Sequence, residues 1–295
     1  MVNFIFNDHN FYIEKKVAKV VEIFVKKQKK NNDNLLIISG NTGTGKSNLA
    51  TLICAYYSYL TGIKYDVSRV FFKSPDFVKE AISTENQIFH YDESLFSAMA
   101  TDWQTQEQKQ LIKMLLLCRK KRHFYVFCIP DFFKLKDTIK VEKCNGLIYT
   151  YLRKTSPGRF LYFRGKKREK LLSIYKKTGR KKYYACKSFR GTFAKVLPKI
   201  IDETTYDRNK DDAILSLIVT EKTKGQSKLD ELRTKVSQIY KDLNVKQKDV
   251  AKALGVNPKH FSRWNKSLKD DATITNPLFN NSRVDNQDED KTIKE

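Results

Sequence analysis

The sequence predicts an α/β fold, a three-layer sandwich with a mostly parallel sheet, followed by a helical C-terminal region. Three observations carry that expectation. Short, continuously apolar runs recur at Leu35 to Ser39, Ile88 to Tyr91 and Phe124 to Ile129, as in strands covered on both faces. Helix-forming stretches separate them, and such alternation implies a parallel sheet with right-handed crossovers. A glycine-rich turn joins the first of these strands to its helix.

In chain order, Val17 to Val25 spaces its apolar residues near 3.6 within a Lys/Glu-rich stretch, which predicts an amphipathic helix. Asn31 to Asn34 interrupts it. The strand Leu35 to Ser39, the glycine turn and a helix from about Lys46 to Leu60 follow. Arg69 to Phe72 reads as a strand, Asp76 to Ile82 as a helix, and Ile88 to Tyr91 as a strand ending in Asp92-Glu93. A polar stretch and a helix over about Gln106 to Lys121 lead into Phe124 to Ile129, and Leu147 to Tyr151 is a further strand. Arg159 to Arg164 and Leu171 to Tyr175, parted by Gly165, read as a basic hairpin extending the sheet. The expected organisation is a main domain over 1–200 with this extension over 151–200, a helical linker over 201–243, a compact module over 244–267 and a disordered tail over 268–295.

The chain has 295 residues and a formal net charge of +24, a surplus that points to a polyanionic partner, nucleic acid or an acidic membrane surface. No apolar run approaches the ~20 residues of a spanning helix. The N-terminus lacks a basic region followed by an apolar core, so no secretory signal is expected. Cys54, Cys118, Cys128, Cys144 and Cys186 are scattered without a CxxC pair, which predicts free thiols and a cytoplasmic location.

Gly40-Asn41-Thr42-Gly43-Thr44-Gly45-Lys46-Ser47 fits G-x-x-x-x-G-K-[ST] in full, with an apolar strand before it and a helix after it. It resembles the phosphate loop of P-loop NTPases. Its glycines let the backbone approach an anion closely. Successive N–H groups and the positive end of the helix surround the phosphates, with Asn48 in the first turn. Lys46 reaches the β/γ-phosphates and the Ser47 hydroxyl ligates Mg²⁺. Asp92 and Glu93 then supply the second acidic pair: Asp92 holds the metal through water, and Glu93 polarises the attacking water. With no N-K-x-D guanine-reading motif in the chain, the expected cofactors are ATP and Mg²⁺. His90, inside the strand, reads as a core or interface residue. His9, His90, His123 and His260 have no metal-binding spacing.

Arg119 and Arg122 close a helix, where cations complement the dipole; alternatively, one faces the γ-phosphate of a neighbouring subunit as an arginine finger. The order of glycine loop, strand ending in Asp-Glu, helix ending in Arg/Lys pairs, apolar strand and Pro-containing connection resembles the ASCE division of P-loop ATPases. Within it, residues 30–155 resemble the FtsK/HerA-like DNA pumps, including the zonular-occludens-toxin-like ATPases. The resemblance implies a homo-oligomeric ring, such as a hexamer. Members of that branch end the next strand with a glutamine that senses the γ-phosphate. Here Ile129, Pro130 and Asp131 occupy that place, leaving Asp131 as the sensor candidate. The transmembrane segment of typical phage-extrusion members is also missing.

Residues 151–200 carry 17 Lys/Arg against one acid, Glu169, interleaved with aromatics. Cations there neutralise phosphates and exposed rings can stack on bases. The candidate DNA contacts are Arg164, Lys166, Lys167, Arg168, Lys176, Lys177, Arg180, Lys181 and Lys182. Gln247 to Trp264 resembles a helix-turn-helix: Gly255 makes the turn, and Asn257 and Pro258 start a second helix. That helix would present Lys259, His260, Ser262 and Arg263 to a groove. Together these features favour a DNA-translocating, packaging or transfer ATPase of a mobile element or virus. A replication initiator or helicase loader of the AAA+ type, and an ATP-switched DNA-binding regulator, are the alternatives.

Overall fold

Two antiparallel strands, β1 (Val2–Phe6) and β2 (His9–Ile13), open the chain. This hairpin is not among the expected elements, although its turn carries a sequence signal. Asn7 and Asp8 both adopt positive φ, 48° and 61°, the requirement of a two-residue turn that Asn and Asp meet readily. In this computed structural model the described residues are 1–92, 106–152, 158–194, 199–216, 246–253, 257 and 259. They fall in two units, Met1–Ser216 and Leu217–Glu295.

The first unit continues with α1 (Lys15–Gln28), β3 (Asn34–Ser39), α2 (Lys46–Thr61), β4 (Val70–Phe71), α3 (Ser74–Ser83) and β5 (Ile88–Asp92). Then come α4 (Gln106–Leu117), β6 (Phe124–Ile129), β7 (Cys144–Tyr151) and β8 (Gly158–Phe163). It closes with α5 (Lys166–Thr178), α6 (Tyr183–Cys186), β9 (Phe189–Phe193) and α7, residues 203–216. The described strands from β4 onward join β3 in a seven-stranded sheet of order β4-β5-β6-β3-β7-β8-β9. The first five run parallel; β8 and β9 add antiparallel to the β7 edge. A mixed α/β fold with a mostly parallel sheet between helical layers is therefore what this sequence makes.

Period-two alternation distributes each strand between two cores. Leu36 and Ile38 of β3 face a cluster with α1, α2 and the β1–β2 hairpin, whereas Leu35 and Ile37 face one with α3, α4, α5 and α6. Every residue of β3, β5 and β6 is buried, which is why these runs contain no polar alternation.

Two expectations need correction. Leu171 to Tyr175 is not a strand but lies inside α5. Arg168, Leu171 and Leu172 are the buried residues of that helix, an i, i+3, i+4 stripe with lysines on the solvent side. The sheet extension is instead the β7–β8–β9 meander, with α5 and α6 between its last two strands. Residues 201–216, read as the start of a linker, pack in the first unit: Ile201, Tyr206 and Ala213 lie in the α1/α2 core.

In the second unit, α8 (Gln247–Ala253) coincides with the first helix of the expected helix-turn-helix, and Ala251 is buried. The Asn257 side chain accepts from Lys259 N at 3.0 Å. His260, Ser262 and Arg263 lie outside the described residues, as does the tail over 268–295.

Candidate nucleotide site

The parallel strands β3, β5, β6 and β7 end together, and their C-terminal edge forms the crevice in which open α/β sheets bind ligands. The phosphate loop leaves β3 here. Gly43 and Gly45 sit at φ of 76° and 85°, left-handed values that disfavour a side chain. Gly40 is required by proximity: a Cβ there would overlap the carbonyl and hydroxyl oxygens of Thr150, in β7. Asn41, Thr42 and Gly43 are exposed at the crest of the loop.

Behind the crest the loop is braced. The Thr44 hydroxyl donates to Asn41 O at 2.7 Å and lies 2.8 Å from the Thr150 hydroxyl. Lys46, the first residue of α2, is only 8% exposed and donates from Nζ to Gly40 O at 2.9 Å and Asn41 O at 3.0 Å. Burial lowers its pKa from the usual lysine value. The ammonium thus sits inside the curve of the loop, at the positive end of α2, where an anion gains from both.

Asp92, the last residue of β5, is fully buried. β6 separates β5 from β3, yet α2 brings Ser47 back so that its hydroxyl donates to Asp92 Oδ2 at 2.5 Å. A second hydroxyl, from Tyr206 in α7, also donates to Oδ2. Burial, then the adjacent Asp92 charge, raises the Tyr206 pKa, so this phenol keeps its proton and acts as a donor. Asp92 Oδ1 is buried and has no hydrogen-bond partner among the described residues.

A family model described as novel STAND NTPase 3 matches residues 19–129. That stretch, less than half of the chain, runs from α1 to the end of β6 and contains both the phosphate loop and Asp92. The match supports nucleoside-triphosphatase chemistry; its description is not that of a DNA motor. No curated protein matches the chain.

A divalent metal fits this NTPase site. Mg²⁺ takes hard oxygen ligands, usually one or two from protein plus phosphates and waters. The Ser47 hydroxyl and the Asp92 carboxylate are such donors, and the orphaned Oδ1 would be open to a metal-bound water. Among the described residues no group of three His, Cys, Asp or Glu could hold a metal by itself.

The remaining predicted residues are dispersed. Glu93 lies outside the described residues. Arg119 and Arg122 precede β6, whose first residue pairs with the start of β3, so they lie at the opposite edge of the sheet from the loop. A six-residue strand puts about 17–20 Å between the two edges. Arg119 donates to Asn32 Oδ1 at 3.1 Å, and Arg122 takes a left-handed φ of 58°. Neither guanidinium serves this chain's own phosphate loop.

Asp131 is committed elsewhere. It accepts from Phe133 N at 3.1 Å and pairs with Lys181 at 2.7 Å, a cap with a counter-ion. His90 is a core residue, 3.0 Å from the Tyr65 hydroxyl, and burial pushes its pKa down to about 4.

Of the basic segment, Arg164, Lys166, Lys167, Lys176, Lys177, Arg180, Lys181 and Lys182 are exposed. Arg168 is not: it is 6% exposed and donates to Val141 O at 3.0 Å. It therefore leaves the set of surface cations, because the buried face of α5 draws its guanidinium toward a backbone carbonyl. Most aromatics of the segment are core, including Phe160, Tyr162, Phe163 and Tyr183, whereas Tyr184 is 57% exposed.

Sequence reasoning missed Thr150 and Tyr206. Thr150 lies near the end of an apolar strand and could have been suspected from its position at the same sheet edge. Tyr206 is 114 residues from Asp92 and belongs to no motif.

Proposed function

We propose that this protein is an Mg²⁺-dependent ATPase that acts on DNA. The observation that carries the proposal is the Ser47–Asp92 contact at the mouth of the glycine loop. It joins the hydroxyl and carboxylate of a metal–triphosphate site in a chain whose matched family is an NTPase. In this reading Gly40 to Asn48 hold the phosphates with backbone amides, and Lys46 exchanges its two loop carbonyls for β/γ-phosphate oxygens. Ser47 and Asp92 hold the metal, which when bound supplies charge neutralisation across those oxygens. Glu93 orients and polarises the attacking water. ATP is favoured over GTP by the lack of a guanine-reading motif.

The exposed cations of 164–182 support a polyanionic partner, since nine of them face solvent within one segment. Arg119 and Arg122 also close the helix ahead of β6; remote from their own loop, they would meet a γ-phosphate only in trans. This favours a ring of identical subunits, and with it a translocating, packaging or transfer motor. The C-terminal module would dock that motor on DNA through Lys259, His260, Ser262 and Arg263.

The test is ATP and GTP turnover by the full chain with no DNA, single-stranded DNA and linear duplexes of increasing length. ATP hydrolysis that rises with DNA length is the expected result. Stimulation without length dependence indicates a helicase loader or initiator instead, and the absence of any Mg²⁺-dependent turnover overturns the ATPase reading. Glu93→Gln is expected to bind ATP and not hydrolyse it.

A further inference from the structure

Asp92 has two oxygens in unlike surroundings. Oδ2 accepts from both Ser47 and Tyr206, whereas Oδ1 is buried with no partner among the described residues. A carboxylate offers about four acceptor sites. Two donors on one oxygen fix the rotation of the group and present the other oxygen in a set direction. An unmet buried acceptor is costly unless something completes it, and Mg²⁺ characteristically retains waters that donate to nearby carboxylates.

We propose that Tyr206 is a positioning residue of the metal site: its hydroxyl holds Asp92 so that Oδ1 receives a metal-bound water. The inference rests on the Mg²⁺–ATP reading given above. It extends the site to a helix beyond the 19–129 stretch that matches the NTPase family. α7 is built to hold this tyrosine still. The Asp202 carboxylate caps its first turn, accepting from Thr205 N at 2.9 Å. Ile200, Ile201 and Ala213 anchor the segment in the core. The Tyr206 ring, 4% exposed, packs edge-on against Phe72 at 5.2 Å. The hydroxyl can therefore be removed while the ring contacts are kept.

The experiment is a titration of Mg²⁺ into the full chain holding a fluorescent, non-hydrolysable ATP analogue, comparing the native protein with Tyr206→Phe. Loss of a hydrogen bond to a metal-holding carboxylate weakens metal binding by about 10-fold or more. The expected result is that loss in apparent Mg²⁺ affinity, with analogue binding in EDTA unchanged. Equal Mg²⁺ affinity in the two proteins overturns the proposal. So does an equal fall in EDTA, which would make Tyr206 a packing residue of the loop. A gain in Mg²⁺ affinity overturns it too, because the hydroxyl would then be competing with the metal's water. If the native protein binds the analogue without any response to Mg²⁺, the metal site itself is refuted, an outcome distinct from failure of the Tyr206 variant alone.

Discussion

The hydroxyls of Thr44 and Thr150 lie 2.8 Å apart, joining the phosphate loop to the end of β7. Each hydroxyl has one proton, and Thr44 commits its own to Asn41 O at 2.7 Å. Thr150 is therefore the donor in this pair, and the weaker 3.3 Å approach to Ser39 O is its alternative. The loop thus holds its curve partly through a strand that the family match does not reach.

Thr150→Val keeps the shape of the side chain and removes that donor. One buried hydrogen bond contributes about 1 kcal/mol. If the missing brace is felt in the nucleotide-holding form, affinity falls by about 5-fold. Isothermal titration with ATP in the presence of Mg²⁺ measures it, and Thr150→Ser should recover most of the deficit.

Gly40→Ala tests the same contact from the other side. The added methyl would meet the Thr150 backbone carbonyl as well as its hydroxyl, so trimming the Thr150 side chain cannot relieve it. Overpacking of this kind costs about 1–3 kcal/mol. Reduced denaturant stability together with abolished nucleotide binding is expected, and a double variant with Thr150→Ala should remain impaired.

The loop and Asp92 were legible in the sequence because their chemistry is local. Glycine spacing, a lysine and a hydroxyl within eight residues, and an acid at the end of an apolar run all survive without knowledge of the fold. The sheet was legible for the same reason, since doubly covered strands carry few polar residues. Leu171 to Tyr175 was misleading because a short apolar run looks alike in a strand and on one face of a helix. Its flanks, with Arg168 joining Leu171 and Leu172 at helical spacing, held the distinguishing signal. Tyr206 had no such signal. Its role exists only because α7 folds back onto β5, and a tyrosine in a polar helix announces nothing about the carboxylate it will meet.

Acid should destabilise the protein through its buried histidines. His123 accepts from Gln87 N at 3.0 Å through Nδ1, and its Nε2 faces Ala81 O at 3.1 Å, which fixes the neutral Nε2–H form. Protonating Nδ1 would set two N–H groups against each other. Burial pushes the pKa of both His90 and His123 down to about 4. Because the unfolded chain binds these protons more readily, near pH 6.5, the histidines' contribution to stability is present above about pH 6.5 and is lost as pH falls from there to 4. Each histidine accounts for up to about 3 kcal/mol across it. Urea unfolding at stepped pH should show the decline, and a neutral replacement of His123 should flatten it.

The basic surface predicts a particular salt dependence. Lys166, Lys167, Arg180 and Lys182 are exposed, whereas Lys176 and Lys181 are paired with Asp137 at 3.0 Å and Asp131 at 2.7 Å. A cation already facing a carboxylate releases fewer counterions when it meets a phosphate. Replacing the first four by alanine should lower the slope of log affinity against log salt by about 0.9 for each duplex phosphate no longer neutralised. Replacing Lys176 and Lys181 should change it less per residue. Fluorescence anisotropy with a labelled duplex at several salt concentrations provides both slopes. Equal slopes in all three proteins would mean that this face of α5 and α6 is merely hydrated and that DNA, if bound, is bound elsewhere.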